Sequence, residues 1–237
     1  MEAIILAGGF GTRLQSLVSE VPKPMAPVAG VPFLAHLAAF LEKQGVRRVV
    51  ISVGYKAAVI SEYFKESFLG MDIDYSPETE PLGTGGAIRR ALQFIKSESC
   101  LVLNGDSLFN VRIQDLSAVH QETGATVTLS LRWMPDASRY GCVQCENGRI
   151  KAFQEKVADV GPGFINGGVY LCRSNMFEGL DLPTRFSFEN DFLRPQCRKQ
   201  HFAGFVSDGF FIDIGVPDDY LRAQELPFFQ NSLTKTI

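Results

Sequence analysis

The chain has 237 residues and a formal net charge of −3 at pH 7, with 46% hydrophobic and 21% charged residues. Such values are typical of a globular protein with a full core and exclude a chain dominated by disorder. The slightly negative charge argues against nucleic acid or a membrane surface as a partner. The sequence has no signal-peptide pattern, no long apolar stretch and an odd number of scattered cysteines, so we expect a cytoplasmic location.

Apolar strands alternate with amphipathic helices through the first half of the chain. Strands are predicted at AIILAG, RRVVISVG, IDYS and CLVLNGD, and helices at FLAHLAAFLEKQG, AAVISEYFKESF and GAIRRALQFIKS. This alternation is typical of βαβ units on a parallel sheet that is covered on both faces. Later, ATVTLSLRW, CVQCENGRIKAF and FINGGVYLC predict longer strands with a hairpin, and VPDDYLRAQEL predicts a closing helix. We therefore predict one α/β domain over 1–237, a Rossmann-like three-layer sandwich with a mixed, mostly parallel central sheet.

A glycine-rich segment follows the first predicted strand. The sequence IILAGGFGTRLQ, from Ile4 to Gln15, places three glycines and then Thr12 and Arg13 after an apolar run. Bare backbone ahead of a helix start offers N–H groups to phosphate oxygens, and Thr12 with Gln15 has the spacing of a capping box. An ordinary tight turn is the alternative interpretation. A dinucleotide motif is excluded because Leu14 stands where its third glycine belongs, and the sequence contains no Walker motif.

The residues that follow the predicted strands form a second pattern. Glycines, cations and carboxylates occupy positions 8–13, 54–55, 77–86 and 105–106. In open α/β sheets, ligands bind outside the carboxyl ends of the strands. These four segments therefore predict a single site at one edge of the sheet.

Several short motifs along the whole chain carry a family resemblance. The segments LAGGFGTRL, EVPKPM, PLGTGGAI, LNGD, RYG, FQEK, INGGVYL and FIDIGVPDDY occur in the order found in the sugar-1-phosphate nucleotidyltransferases, and the chain resembles that family. Within it, EPLGTGGA, INGGVYL, FSFEN and DIGVP are similar to D-glycero-α-D-manno-heptose-1-phosphate guanylyltransferases. Mannose-1-phosphate guanylyltransferases share many of these sequence motifs and are the alternative subfamily.

The resemblance implies a fold of the nucleotidyltransferase or glycosyltransferase-A-like kind and a definite reaction. A nucleoside triphosphate, here expected to be GTP, and a sugar 1-phosphate give a nucleotide sugar and pyrophosphate. The attacking phosphate oxygen is already anionic at neutral pH, so no general base is required. Catalysis then depends on positioning and on charge stabilisation by cations, backbone donors and Mg²⁺. A homo-oligomer is compatible with this interpretation.

The resemblance also assigns roles residue by residue. The expected catalytic residues are Arg13, Lys23 and Asp106. The expected nucleotide-binding residues are Leu6, Ala7, Gly8, Gly9, Gly11, Thr12, Arg13, Glu78, Glu80, Gly83, Thr84 and Gly85. The expected sugar-phosphate-binding residues are Gly105, Tyr140, Gly141, Glu155, Lys156, Asn166, Gly167 and Glu189.

Three charged residues also stand out by their positions. Lys23 lies between two prolines, which restrict the backbone and suit a positioned cation. Asp106 and Asp213 follow or interrupt apolar runs, and strand-end carboxylates are the hard oxygen ligands that Mg²⁺ prefers. We predict that Lys23 contacts the reacting phosphates and that the two aspartates bind Mg²⁺. The alternatives are a solvated lysine and aspartates that cap turns.

The choice of base depends on one carboxylate. Guanine presents an N1–H and an exocyclic amine side by side, for which a carboxylate is the natural partner. Glu78 and Glu80 both precede PLGTGG, and the sequence does not decide between them.

A different class of function is a non-catalytic protein that binds nucleotide sugars. Such a protein should have lost some of the charged residues that the reaction needs. Arg13, Lys23, Asp106, Lys156 and Asp213 are all present, which favours an enzyme.

Overall fold

The computed structural model describes residues 1–9, 14, 17–153 and 161–230. The strands are β1 (Glu2–Leu6), β2 (Pro27–Val28), β3 (Val31–Pro32), β4 (Arg48–Val53), β5 (Ser67–Phe68), β6 (Met71–Pro77), β7 (Ser99–Asn104), β8 (Ser107–Phe109), β9 (Val127–Met134), β10 (Val143–Glu146), β11 (Arg149–Phe153), β12 (Gly163–Arg173), β13 (Phe202–Val206) and β14 (Phe211–Asp213). The helices are α1 (Phe33–Lys43), α2 (Ala57–Phe64), α3 (Gly83–Ala91), α4 (Ile113–Thr123), α5 (Arg194–Gln196), α6 (Pro217–Glu225) and α7 (Pro227–Gln230). Short 3-10 segments lie at Lys23–Met25 and Leu92–Phe94, and a π-helical segment lies at Phe188–Leu193.

Ten of these strands form one sheet in the order β10–β11–β13–β9–β12–β7–β1–β4–β6–β5 across the described ranges. Strand β1 pairs in parallel with β4 and β7, and β4 pairs in parallel with β6. Strand β12 runs antiparallel to β7 and β9, and β13 is parallel to β9. Strands β5, β11 and β12 therefore run against the other seven, which confirms the mixed, mostly parallel sheet.

Successive residues of β1 bury their side chains on opposite faces of this sheet. Ala3 and Ile5 belong to one core cluster, whereas Ile4 belongs to the other. Helices α1, α2, α4, α6 and α7 contribute to the first cluster, and α3 and the segment Phe188–Leu193 contribute to the second. Burial on both faces explains why the strand sequences are continuously apolar, and it gives the three layers that were predicted.

The predicted bounds of two helices are wrong. The helix expected over 57–68 ends at Phe64, because Lys65 takes a positive φ of 52° and Phe68 pairs with β6. The Phe68 ring packs against Phe64 at a centroid distance of 4.7 Å, so tertiary packing outweighs local helix propensity. The helix expected over 86–97 begins at Gly83 instead and gives way to a 3-10 turn after Ala91.

The carboxyl ends of the four parallel strands β1, β4, β6 and β7 lie at the same edge of the sheet, as the sequence predicted. The short segments after them are therefore neighbours in space. Within the described ranges, no helix combines the length and the apolar character needed to cross a bilayer.

The opposite edge carries an ionic junction that we expect to set acid stability. Burial alone would raise the pKa of Glu2, but hydrogen bonds from Ser97, the Lys96 amide and the Arg48 guanidinium outweigh it and lower the pKa to about 2. Arg48 also forms a salt bridge with Asp74, with 2.7 Å between Nη2 and Oδ2. The junction joins β1, β4 and β6 to the turn before β7.

Glu2→Gln should therefore destabilise the protein at neutral pH. The folded-state pKa lies below the unfolded value of 4.5, so the stabilisation is complete above pH 4.5 and is lost as pH falls toward 2. We expect a loss of up to about 3 kcal/mol at pH 7, which shrinks at pH 3. Urea unfolding of both proteins at the two pH values measures it, with the exposed Glu62→Gln as the control. An equal difference at both pH values would contradict the assignment.

Candidate active site

A cavity of about 420 Å³ opens at the sheet edge where the parallel strands end. It lies between the segments after β1, β6 and β7 on one side and the segment before Phe188 on the other. Its walls are Leu6, Gly8, Gly9, Lys23, Pro24, Glu78, Pro81, Gly83, Thr84, Ala87, Asn104, Gly105, Asp106, Arg185 and Glu189. Ten of these residues were predicted as site residues from the sequence. Three of the four predicted segments reach the cavity, whereas Gly54 and Tyr55 do not line it.

The ammonium group of Lys23, a residue of the cavity wall, lies close to two carboxylates. Lys23 Nζ donates a hydrogen bond to Asp106 Oδ2 at 2.5 Å. Asp213 lies beside them, because the Ile214 amide donates to the Asp106 carbonyl at 2.9 Å. A Cβ added to Gly215 would lie 2.6 Å from Asp213 Oδ1 and 3.0 Å from Lys23 Nζ. Three charged groups therefore share a space that only a residue without a side chain leaves open.

The surrounding backbone fixes the position of Lys23. Its side chain is only 9% exposed, and it begins a 3-10 turn in which Pro24 and Met25 are buried. The preceding segment is held from another element, since Lys56 Nζ donates to the carbonyls of Ser19 and Glu20. The lysine is therefore positioned, and the alternative of a freely solvated loop residue is excluded.

The two candidate base-reading glutamates occupy different environments. Glu78 lines the cavity, and its oxygens accept hydrogen bonds from the Ser52 hydroxyl at 3.1 Å and the Leu82 amide at 3.0 Å. Its carboxylate also packs against Gly8, where an added Cβ would lie 2.3 Å from Oε1. Glu80 is exposed beside the cavity-wall residue Pro81, and no hydrogen bond joins its carboxylate to another described residue.

A chain of hydrogen bonds leads from Thr84 and Glu189 in the cavity wall to Asn166, a predicted sugar-phosphate contact. Glu189 Oε2 accepts from Thr84 Oγ1 at 3.0 Å, and Glu189 Oε1 accepts from the Tyr170 hydroxyl at 3.5 Å. Asn166 Nδ2 donates to the same hydroxyl at 2.6 Å, and Asn166 Oδ1 accepts from the Gly168 amide. Tyr170 is fully buried, and burial raises its pKa well above the usual value, so the phenol stays neutral and links Glu189 to Asn166.

Tyr140 and Gly167, which the sequence predicts as sugar-phosphate contacts, do not line the cavity. The Tyr140 ring packs against Phe211 at a centroid distance of 5.7 Å, and Phe211 packs against Phe109 at the same distance. A Cβ added to Gly167 would lie 2.2 Å from the Phe109 ring. Tyr140 and Gly167 are thus two ends of one aromatic row that passes beside Asp213, the last residue of β14.

Of the other predicted residues, some fix the backbone near the cavity, and some lie outside the residues that the structure describes. The Ala7 amide donates to the Ser52 carbonyl and the Gly85 amide donates to the Phe186 carbonyl, so both fix backbone segments beneath the cavity. Gly141 takes a positive φ of 77° at the turn after Tyr140. Gly11, Thr12, Arg13, Glu155 and Lys156 lie outside the described residues, as does most of the predicted helix start at 12–15.

Comparison with known proteins identifies the family. The family described as Nucleotidyl transferase matches residues 2–227 of the chain. The chain belongs to the nucleotidyl transferase family. This confirms the resemblance drawn from the order of the sequence motifs, and it makes the protein an enzyme of this class.

Three members of the nucleotidyl transferase family illustrate the similarity. D-glycero-alpha-D-manno-heptose 1-phosphate guanylyltransferase of Aneurinibacillus thermoaerophilus is 47% identical over 95% of this chain and 97% of its own. Mannose-1-phosphate guanylyltransferase of Mycobacterium tuberculosis is 34% identical over 94% of this chain, which spans 63% of that protein. The crystal structure of HddC from Yersinia pseudotuberculosis complexed with GMP-PN has a TM-score of 0.83 and 36% identity, covering 94% of this chain and 98% of that one.

Five residues that line the cavity of this nucleotidyl transferase were not predicted individually from the sequence: Pro24, Pro81, Ala87, Asn104 and Arg185. Arg185 is the important omission, since its exposed guanidinium adds a second cation to the described walls. Its position just before FSFEN was the available signal. Asn104 could have been found from its position in the predicted strand CLVLNGD, directly before the predicted site residues Gly105 and Asp106.

Proposed function

We propose that this chain transfers guanosine monophosphate from GTP to D-glycero-α-D-manno-heptose 1-phosphate and releases pyrophosphate. The observation that carries the proposal is the cluster of Lys23, Asp106 and Asp213, of which the first two line a cavity that the glycine-rich segment borders. The relative at 47% identity carries the name of this heptose enzyme, and the similar crystal structure contains GMP-PN. Mannose 1-phosphate is the second candidate substrate, because a 34% identical relative is named for it.

The chemistry requires charge neutralisation and alignment. An oxygen of the sugar phosphate forms a bond to the α-phosphorus of GTP, and the bond from that phosphorus to the bridging oxygen of pyrophosphate breaks. Negative charge is spread over the phosphoryl oxygens as this occurs. Lys23 points into the cavity from a rigid turn, so it can stabilise that charge without reorganisation. Arg185 supplies a second cation at the opposite wall.

The residues present fit a bound Mg²⁺. Asp106 and Asp213 come from adjoining strand ends and offer hard carboxylate oxygens, which is the donor set that Mg²⁺ takes together with phosphate oxygens and water. Lys23 Nζ engages Oδ2 of Asp106, and the Gly215 amide engages Oδ1 of Asp213, so donors from the protein hold both carboxylates in position. Bound there, Mg²⁺ would neutralise phosphate charge and orient the triphosphate.

We assign guanine readout to Glu80 and a supporting role to Glu78. The Glu78 oxygens already accept hydrogen bonds from Ser52 and Leu82, so this carboxylate holds the segment that borders the cavity. Glu80 is exposed next to the wall and retains both oxygens for a ligand with two adjacent donors. The amine and N1–H of guanine form such a pair, whereas the other bases would leave acceptors facing the carboxylate.

GTP should therefore exceed UTP and dTTP by at least about tenfold in kcat/KM, since an unpaired polar group in a site costs ~1–3 kcal/mol. Pyrophosphate release measures this across ATP, GTP, CTP, UTP and dTTP, each combined with heptose, mannose and glucose 1-phosphates. Preference for mannose 1-phosphate would replace the sugar assignment. A better rate with UTP or CTP would contradict the base assignment and leave nucleotidyl transfer intact.

The two glutamates provide matched variants for the same assay. Glu80→Gln should remove most of the preference for GTP while the slower rates with other nucleotides stay nearly unchanged. Glu78→Gln should lower all rates in common, because it disturbs the contacts with Ser52 and Leu82 rather than the base. The reverse pattern would transfer base readout to Glu78.

A further inference from the structure

Helix α6 begins with a buried carboxylate that the reaction described above does not use. The Asp219 side chain is only 7% exposed and lies in the first helical turn. Its Oδ2 accepts a hydrogen bond from Arg139 Nη2 at 2.5 Å, and its Oδ1 lies 3.0 Å from Arg222 Nη2. A buried carboxylate needs such partners, because an unpaired charge away from water is costly. The contact with Arg139 joins two segments that are far apart in the sequence.

Arg139 belongs to the segment that carries Tyr140 and Gly141, two predicted sugar contacts. Within that segment the backbone mostly bonds to itself, since the amides of Tyr140 and Gly141 both donate to the Ala137 carbonyl. The Arg139–Asp219 hydrogen bond is a side-chain tie from this segment to α6. It also raises the pKa of the Arg139 guanidinium, which is therefore charged throughout the working range.

Aromatic contacts link Arg139 to the strand that carries Asp213. The Arg139 guanidinium lies over the Tyr140 ring, 5.5 Å from its centroid, and that ring packs edge-on against Phe211. Phe211 begins the strand that ends at Asp213, the proposed metal ligand. The charge of Asp213 acts on both Arg139 and Tyr140. A displacement of Arg139 would therefore move the residues expected to contact the sugar.

We propose that Asp219 is a positioning residue for the sugar 1-phosphate subsite, which it orders by holding Arg139 and hence Tyr140 and Gly141 beside Asp213. The inference rests on the proposed function, because it takes Tyr140 and Gly141 as sugar contacts. Asp219 touches no substrate. Its effect is to fix the segment before substrate binds, so that ordering is not required at that step.

A simpler role for Asp219 would be electrostatic support of the helix start, where an acidic residue is favourable. Asp218 separates the two explanations. It lies in the same first turn and carries the same charge, but it is exposed and no ion pair links it to another described residue. Helix support alone would make Asp218 and Asp219 equivalent, whereas positioning involves only Asp219.

Asp219→Asn should raise KM for the sugar 1-phosphate by about tenfold, while KM for GTP stays within about twofold, as for loss of a direct pair that orders one subsite. Asp218→Asn should leave both constants unchanged. Arg139→Ala should reproduce the Asp219→Asn effect, and the double variant should be no worse than either single one. Steady-state kinetics with each substrate varied in turn, together with thermal melting, measures all four proteins.

Several results would overturn the inference. Unchanged sugar KM in Asp219→Asn, equal increases in both KM values, or additive effects in the double variant would each do so. Where Asp219→Asn melts too early to assay, Arg139→Ala decides, because its side chain is 49% exposed and its removal leaves the core intact. A wild-type protein that turns over no sugar 1-phosphate would refute the proposed function and this inference together, whereas an active wild type with unaffected variants refutes the inference alone.

Discussion

Lys23→Ala is expected to lower kcat by about 10²-fold or more, the cost of removing one preorganised group that stabilises transition-state charge. The lysine side chain is 9% exposed, its Nζ lies 2.5 Å from Asp106, and prolines on both sides restrict its backbone. Its interaction with the phosphates strengthens as charge shifts toward pyrophosphate. KM for either substrate should therefore change less than kcat, which pre-steady-state and steady-state pyrophosphate release can separate.

Two further variants show whether position or charge alone is responsible. Lys96→Ala removes an exposed lysine that lies away from the cavity, and it should retain wild-type activity. Lys23→Arg keeps the charge, but a planar guanidinium cannot replace an ammonium in the space limited by Gly215. It should recover only part of the lost rate. Activity of Lys23→Ala within threefold of wild type would remove Lys23 from the catalytic residues.

The sequence was sufficient to predict the features that repeat or that end a strand. Ile4 lies on one face of the sheet and Ile5 on the other, because successive side chains of a strand point to opposite faces. An unbroken apolar run therefore already indicated a sheet that is covered on both faces. Parallel strands place their carboxyl ends together, and for that reason Gly8, Glu78 and Asp106 could be expected in one cavity. These inferences require only local pattern and topology.

Features that depend on a specific long-range contact could not be predicted. The bond from Thr84 to Glu189 joins residues 105 positions apart, and that from Arg139 to Asp219 joins residues 80 apart. Nothing in either local sequence states the partner. The end of α2 at Phe64 has the same origin, since packing of Phe68 turns the chain away from a helix that its composition favours. Environment likewise separates Glu78 from Glu80, which the sequence presents as equivalent.

Removal of divalent metal should abolish turnover, and Mg²⁺ should restore it, because two carboxylates and a triphosphate concentrate more negative charge than Lys23 and Arg185 can compensate. EDTA treatment followed by Mg²⁺ titration of pyrophosphate release measures this. Asp106→Asn should raise the Mg²⁺ concentration for half-maximal activity while the protein melts normally. The exposed Asp208→Asn is the control and should titrate as the wild type does.

The direction of the Mg²⁺ shift distinguishes a metal ligand from a mere partner of the lysine. If Asp106 served only to orient Lys23, then Asp106→Asn and Lys23→Ala would both lower kcat and neither would raise the Mg²⁺ requirement. If Asp106 and Asp213 bind the metal, the Mg²⁺ concentration for half-maximal activity must rise in Asp106→Asn and fall in Lys23→Ala. Loss of a carboxylate weakens Mg²⁺ binding, whereas loss of the neighbouring ammonium removes a repulsion and strengthens it. A rate that is independent of metal, or Mg²⁺ requirements that shift together, would exclude this pair of aspartates as the magnesium site.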